Sequence, residues 1–412
     1  MQKVFTNIRT LYIVADKSTH KKQGESMQNP IEITNAYLRI SKEKVVEYGS
    51  MSALQMSEFD EVIDVSGRII FPAFCDSHTH IVYARTRESE FVDRIKGLSY
   101  QEIAAKGGGI LNSAIDLQNT SEKVLYEEAL HRLQQMISQG TGAVEIKSGY
   151  GLTLESELKM LRVIAHLKAS VDIPIKGTFL GAHAIPLAYK HNREGYIRLI
   201  IEEMLPNIAK ENLADYIDVF CDEGFFTVEE TDKILNAGAK YGLKPKIHAN
   251  ELANSGGVQV GVKHKAISVD HLEHTTDIEL ECLSNSDTVA TLLPTTAFFL
   301  KIKYPDACSM IRKGLCVALA SDFNPGSSPS GNMSFVMSLA CIQMGMLPQE
   351  ALTACTINGA YAMELSALGY GKLCEDSPAN FVVTNPCQSL AAVPYHFASN
   401  MIEQVWIQGK KV

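Results

Sequence analysis

The chain has 412 residues, 46% of them hydrophobic and 21% charged, with a formal net charge of −9 at pH 7. These proportions fit a globular chain and exclude a disordered or fibrous one. The negative balance argues against nucleic acid and anionic membrane as partners, and an anionic substrate would need a local cation to hold it.

Residues 1–68 read as short strands and turns. Segments 10–14, 36–40 and 44–48 cluster β-forming residues, and the polar stretch 17–30 reads as an exposed loop. From residue 69 the pattern changes to strand, then helix, repeated. Apolar runs at 69–75, 143–147, 173–180, 217–221, 245–249, 266–270, 288–293 and 317–320 read as strands, with helices between most of them. The clearest helix, 122–139, carries an apolar stripe through Val124, Leu125, Ala129, Leu133, Met136 and Ile137; 154–168 and 228–241 look similar. Eight short apolar strands alternating with helices predict a parallel α/β barrel, a (β/α)8 fold buried on both faces of its sheet. No G-x-G-x-x-G follows a strand, so an open dinucleotide-binding sheet lacks its usual signature.

The Gly107-Gly-Gly109 run after the first strand reads as a flexible loop. Helices are expected over 333–343 and 348–362, then β-like segments at 380–384 and 401–409. Both ends of the chain are thus β-rich, and the expected division is a composite β-sandwich of 1–68 with 369–412 around a barrel of 69–368. Trp406, the only tryptophan, reads as core of that small domain. No apolar run reaches the ~18 residues of a membrane span, and the first 22 residues lack the pattern of a secretory leader. Nine cysteines without a C-x-x-C pair, among them Cys221, Cys316 and Cys341, read as buried thiols in a reducing compartment, the cytoplasm.

In a barrel of this kind chemistry sits at the C-terminal strand ends. The first strand ends in Asp76-Ser-His-Thr-His80, and residues two apart on a strand face the same way. The later ends supply Lys147 and Tyr150, His183, Asp222 and Glu223, His248 and Glu251, His271 with Glu273 and His274, and finally Asp322 and Asn324. Three histidines and one aspartate around one ion, with one position left for water, make a hydrolytic metal site. Zn²⁺ suits such N/O donors best, and iron is an allowed occupant.

These positions resemble the amidohydrolase superfamily, barrels whose first strand ends in His-x-His. The resemblance runs from about residue 64 to the C-terminus, and residues 1–63 match loosely. Its specific pieces are Asp76-Ser-His-Thr-His80, the Ser99-Tyr-containing stretch 94–110 with its triple glycine, Val144-Glu-Ile-Lys-Ser-Gly-Tyr-Gly151, Gly181-Ala-His183, Asp218-Val-Phe-Cys-Asp-Glu-Gly224, Asp270-His-Leu-Glu-His274 and Ala320-Ser-Asp-Phe-Asn-Pro-Gly326. Within the superfamily they are similar to the family that hydrolyses 4-imidazolone-5-propanoate to N-formimino-L-glutamate in histidine degradation. The resemblance implies His78, His80, His248 and Asp322 as ligands of one Zn²⁺ (or Fe) per chain. It implies Glu251 and Asp322 as carriers of protons, and His271 as the group that polarises the carbonyl or holds the oxyanion. It also assigns Arg87, Tyr150, His183, Glu251, Asn324, Gly326 and Ser327 to the substrate, and a homodimer to the assembly.

Lys147 lies on the second strand rather than the fourth, where a bridging carboxylated lysine would stand, so it reads as structural. Ser321, Phe323, Pro294-Thr-Thr-Ala-Phe-Phe and Asn380 depart from the family pattern and bear on pocket shape. Two rival readings stay open: a related aminohydrolase of a purine or pyrimidine base, and a barrel scaffold without catalysis. Arg87 argues against the first, since a neutral base has no carboxylate to clamp, and four intact ligands argue against the second.

Overall fold

The run at 69–75, expected as one strand, serves two sheets. A computed structural model describes residues 2–412 except 59, 99–101, 103–107 and 398. Ile69–Pro72 pairs with Gln2–Val14 on one side and Phe381–Thr384 on the other, whereas Phe74–Asp76 pairs in parallel with Thr141–Lys147. The change of partner falls between neighbouring amides. The Ala73 N–H donates to Asn380 O at 3.0 Å, and the Phe74 N–H donates to Gly140 O at 2.9 Å. An apolar run carries no mark of this change, because both segments are buried throughout.

Both termini build the first sheet. Its order is Lys410–Lys411, Ile402–Ile407, Phe381–Thr384, Ile69–Pro72, Gln2–Val14, Ile31–Ser41 and Lys44–Ser50, with Asp60–Asp64 beside the first part of Gln2–Val14. The sheet folds over a core of its own, in which Phe5 meets Phe381 and Trp406 edge-on at 5.1 and 4.9 Å. Trp406 also stacks on Phe381 with the ring planes 8° apart, which places the lone tryptophan in the core.

The stretch 17–30 departs from its expectation. It contains a 3-10 turn, Gly24–Gln28, whose Met27 is fully buried. Thr353 Oγ1 donates to Met27 O at 3.0 Å, and the Asn358 amide exchanges bonds of 2.9 and 2.8 Å with the Lys22 backbone. The Asn358 Nδ2 also reaches Val317 O at 2.8 Å, at the start of the last barrel strand. The segment therefore packs on the barrel through backbone groups, which residue polarity does not reveal.

The second sheet is the barrel. Among the described residues its eight parallel strands run in sequence order: Phe74–Asp76, Thr141–Lys147, Ile175–Ala182, Tyr216–Cys221, Lys244–Ala249, Ser268–His271, Val289–Leu292 and Val317–Leu319. Several helices between them begin on side-chain caps. Thr153 caps Leu154–Ser170, and reciprocal pairs Thr227–Glu230 and Thr276–Glu279 start Val228–Ala239 and Asp277–Ser284. The helix expected over 348–362 is three pieces, Pro348–Thr353, the π segment Ala354–Asn358 and Gly359–Tyr361. First and last strands meet just beyond their ends, where Thr79 and Phe323 form a parallel bridge. The His80 N–H donates to Phe323 O at 2.9 Å and the Asp322 N–H to His78 O at 3.0 Å. The barrel closes through the two segments that carry the expected ligands. No described helix is long and apolar enough to cross a membrane, and all nine cysteines are free.

Candidate active site

His78 and His80 project from the end of the first barrel strand with their Nε2 atoms 3.2 Å apart. His248, in the fifth strand, brings its Nε2 within 3.4 Å of that of His80. Asp322 Oδ1 stands 3.5 Å from both His78 Nε2 and His80 Nε2. All four side chains are buried, and burial pushes the His78 and His80 rings well below the usual imidazole range, so both are neutral. His78 Nδ1 donates to Asp270 Oδ2 at 2.6 Å, which leaves its Nε2 as a lone pair. His248 Nδ1 lies 3.0 Å from Asp218 Oδ2, though off the axis of a hydrogen bond.

With each ring protonated on Nδ1, the facing Nε2 lone pairs repel one another unless a cation stands between them. Four donors at ~2.1 Å from a zinc ion would be about 3.4 Å apart at the edges of a tetrahedron. The spacings among His78, His80 and Asp322, and that between His80 and His248, match; His78, His80 and Asp322 form one potential ligand trio, and His248 adds a third imidazole beside it, donor types that suit zinc or iron. Asp322 takes a φ of 50°, a left-handed conformation that costs a non-glycine residue on the order of 1–3 kcal/mol. Its carboxylate is fixed by Thr296 Oγ1, which donates to Oδ2 at 2.5 Å. Thr296 belongs to the Pro294-Thr-Thr departure from the family pattern.

His271 also falls within reach of His78 and His248 as a potential ligand trio. Its electrostatics suit another task. Burial alone would lower its pKa, but the Glu251 and Glu273 carboxylates outweigh burial and push it up to about 10. Its Nε2 is 3.6 Å from Glu251 and its Nδ1 is 3.7 Å from Glu273, whose two oxygens are buried without a hydrogen-bond partner. The two carboxylates thus favour the imidazolium form of His271, which is a poorer ligand for a cation and a good neighbour for an anion. Burial pushes Glu251 up to about 7, against the opposing effect of His271.

A cavity of about 610 Å³ opens over these groups, and every sequence-predicted site residue except His78 lies on its wall. His183 stacks on His80 with ring planes 16° apart and donates from Nδ1 to Gly149 O at 3.0 Å. Burial holds its pKa down to about 3, so its Nε2 is an acceptor. Gly149, at φ 111°, has room for nothing larger, since a Cβ would lie 2.9 Å from His183 Nδ1. Burial pushes the Tyr150 hydroxyl up, which keeps it a donor. Asn324 spends its amide on its own turn: Oδ1 accepts from the Gly326 and Ser327 N–H groups at 2.8 Å each, and Nδ2 donates to Asp322 O at 2.7 Å and Ser327 Oγ at 2.8 Å. Arg87 is on the wall, but it is engaged by Glu90, and Arg94 Nη1 donates to Gly326 O at 2.9 Å. The Ser99-Tyr motif and Gly107 lie outside the described residues. Gly109 starts the helix Ile110–Asn119 at φ 88°.

Sequence reasoning missed several supports. The Glu157 carboxylate accepts the Gly149, Gly151 and Leu152 N–H groups at 3.2, 2.7 and 2.9 Å and so shapes the loop that carries Tyr150. The Asp222 carboxylate does the same for Glu251, Leu252 and Ala253 at 2.8, 2.9 and 3.1 Å. Asp222 was visible as a strand-end carboxylate. Glu157 sits in a helix whose pattern gave no sign of a loop contact.

Fold and site together define a barrel hydrolase, and the chain belongs to the amidohydrolase family, whose profile matches residues 69–412. A solved fold neighbour, the guanine deaminase of E. coli, superposes with a TM-score of 0.73 at 15% identity, over 100% of this chain and 99% of that one. Within the family the chain belongs with the imidazolonepropionases. It is 53% identical to the imidazolonepropionase of Flavobacterium johnsoniae over 404 residues, 98% of each chain. It is 50% identical to that of Christiangramia forsetii over 412 residues, the whole of both.

Proposed function

We propose that the chain hydrolyses the cyclic amide C–N bond of 4-imidazolone-5-propanoate to N-formimino-L-glutamate. The observation that carries this reading is one cavity joining the His/Asp cluster to an arginine, so that a ring and its carboxylate fit in the same space. His78, His80, His248 and Asp322 would hold one Zn²⁺ or Fe²⁺. Such an ion lowers the pKa of a water toward ~7 and polarises a carbonyl oxygen.

The chain's own groups supply the rest. Glu251, with a pKa near that of a working base, takes a proton from the attacking water and returns it to the ring nitrogen as the C–N bond opens. Asp322, beside it on the cavity wall, is the alternative carrier. The His271 imidazolium faces the developing oxyanion, a preorganised positive charge in a buried site. His183 Nε2 accepts a ring N–H, the Tyr150 hydroxyl donates to the substrate, and Arg87 meets the propionate. Asn324 shapes the Gly326–Ser327 turn beside the ring rather than contacting it with a free amide. The cytoplasm and a homodimer belong to the same reading, the first supported by nine free thiols.

Chelation should abolish hydrolysis of 4-imidazolone-5-propanoate, and one equivalent of Zn²⁺ should restore it. Undiminished hydrolysis by metal-free protein would contradict the reading.

A further inference from the structure

Beneath the His/Asp cluster, inside the barrel, lies a closed group of charges. Lys147 is fully buried, and its Nζ is 2.6 Å from Glu145 Oε1, 2.8 Å from Asp218 Oδ2 and 3.5 Å from Asp270 Oδ2. The same Asp218 Oδ2 stands 3.0 Å from His248 Nδ1, and the same Asp270 Oδ2 accepts from His78 Nδ1 at 2.6 Å. One ammonium thus shares two individual oxygen atoms with two imidazoles, which come from different strands. The second Glu145 oxygen pairs with Lys246, whose Nζ continues to Ser77 O, next to His78, at 3.3 Å. Thr178 Oγ1 and Ser268 Oγ complete the group with bonds of 2.7 Å to Glu145 and 2.6 Å to Asp270.

We infer that Lys147 is a positioning residue of the metal centre, whose ammonium fixes the two carboxylate oxygens that orient His78 and His248. The inference rests on the reading that these histidines hold the ion. Buried ion clusters are weak sources of stability, because desolvation offsets their Coulomb attraction. What this cluster does instead is fix register. Asp218 stands on the fourth barrel strand and Asp270 on the sixth, and the Lys147 ammonium between them holds both oxygens to one point. Without the ammonium the two carboxylates move apart to relieve their repulsion, and the imidazoles that lean on those oxygens lose their aim at the ion. Lys147 needs to touch neither the ion nor the substrate to have this effect.

The test uses full-length protein stripped by chelator and titrated with Co²⁺, which reports ligand geometry through its visible absorption. Two variants are compared with the parent: Lys147→Met, and Lys147→Met combined with Glu145→Gln. The double variant keeps the balance of charge in the cluster while removing the ammonium between the aspartates. Co²⁺ affinity should fall 10–100-fold in both, in line with other losses of outer-shell partners, with a changed absorption band. The double variant's metal-free melting temperature should stay close to the parent's. Affinity within about threefold of the parent in a folded variant, with an unchanged spectrum, would overturn the inference, whatever happens to the melting temperature. Failure of both variants to fold would also overturn it, assigning Lys147 to the fold. Failure of the parent itself to bind Co²⁺ would instead overturn the reading of the ligands.

Discussion

Glu90 holds Arg87 through two guanidinium nitrogens, Nε at 2.9 Å and Nη2 at 2.5 Å from one oxygen, while its other oxygen accepts the Gly109 N–H at 3.0 Å. The arginine expected to clamp a propionate therefore arrives partly neutralised, with only Nη1 making no hydrogen bond to a described residue. Truncating one partner of a desolvated charge pair costs about 2–5 kcal/mol, and Glu90's share of the guanidinium points to the lower end. Arg87→Met should thus lose roughly thirtyfold in kcat/KM on 4-imidazolone-5-propanoate, about 2 kcal/mol, and much less on a ring analogue lacking the carboxylate. Equal losses on both compounds would make Arg87 a structural residue.

Gly326 lies against the same arginine, and a Cβ there would come within 2.1 Å of Arg87 Nη1. Gly326→Ala should displace the guanidinium and lower kcat/KM on the order of tenfold to a hundredfold, with metal content unchanged. Parent-like kinetics would show that the arginine finds another position at no cost.

The pH profile separates Glu251 from His271. Glu251 must be ionised to accept a proton, so the rate falls as pH drops through its pKa of about 7. His271 stays cationic until about 10 and adds no limb below that. The kcat/KM profile should rise with pH to a plateau above about 7, and Glu251→Gln should lack the limb and lose ~10²–10⁴-fold in turnover. A Glu251→Gln profile with the same limb would assign the titration elsewhere.

Metal content gives a count. Lys147, on the second strand, is committed to Glu145, Asp218 and Asp270, and the fourth strand runs into Cys221 and Asp222, so among the described residues no lysine ends that strand to bridge a second ion. Elemental analysis should give one equivalent per chain, and His248→Ala should lose most of it. Two equivalents, both required for turnover, would contradict a mononuclear site.

The barrel was legible because short continuous apolar runs and period-3.6 apolar stripes directly report burial, and the strand ends then follow by position. His78, His80, His248, His271 and Asp322 could be named from that alone, as strand-end polar residues. The split at Ala73 was not legible, since hydrogen-bond partners change there without any change in residue character. Nor was the burial of Met27, whose segment is tied down by the side chains of Asn358, on Lys22, and Thr353, on Met27 itself, more than three hundred residues away. The Arg87–Glu90 pair was within reach of sequence, being i and i+3 at the start of the helix Glu88–Ile95. Reading Arg87 as a clamp for substrate hid its local partner. Glu157 and Asp222 work by gathering amides from loops, and that geometry exists only after the loops are folded.

The most direct measurement is kcat/KM for 4-imidazolone-5-propanoate beside guanine and cytosine, on zinc-loaded protein, with products identified. The imidazolone should disappear with formation of N-formimino-L-glutamate, and the bases should remain unchanged. Deamination of a base, with the imidazolone left intact, would contradict the account.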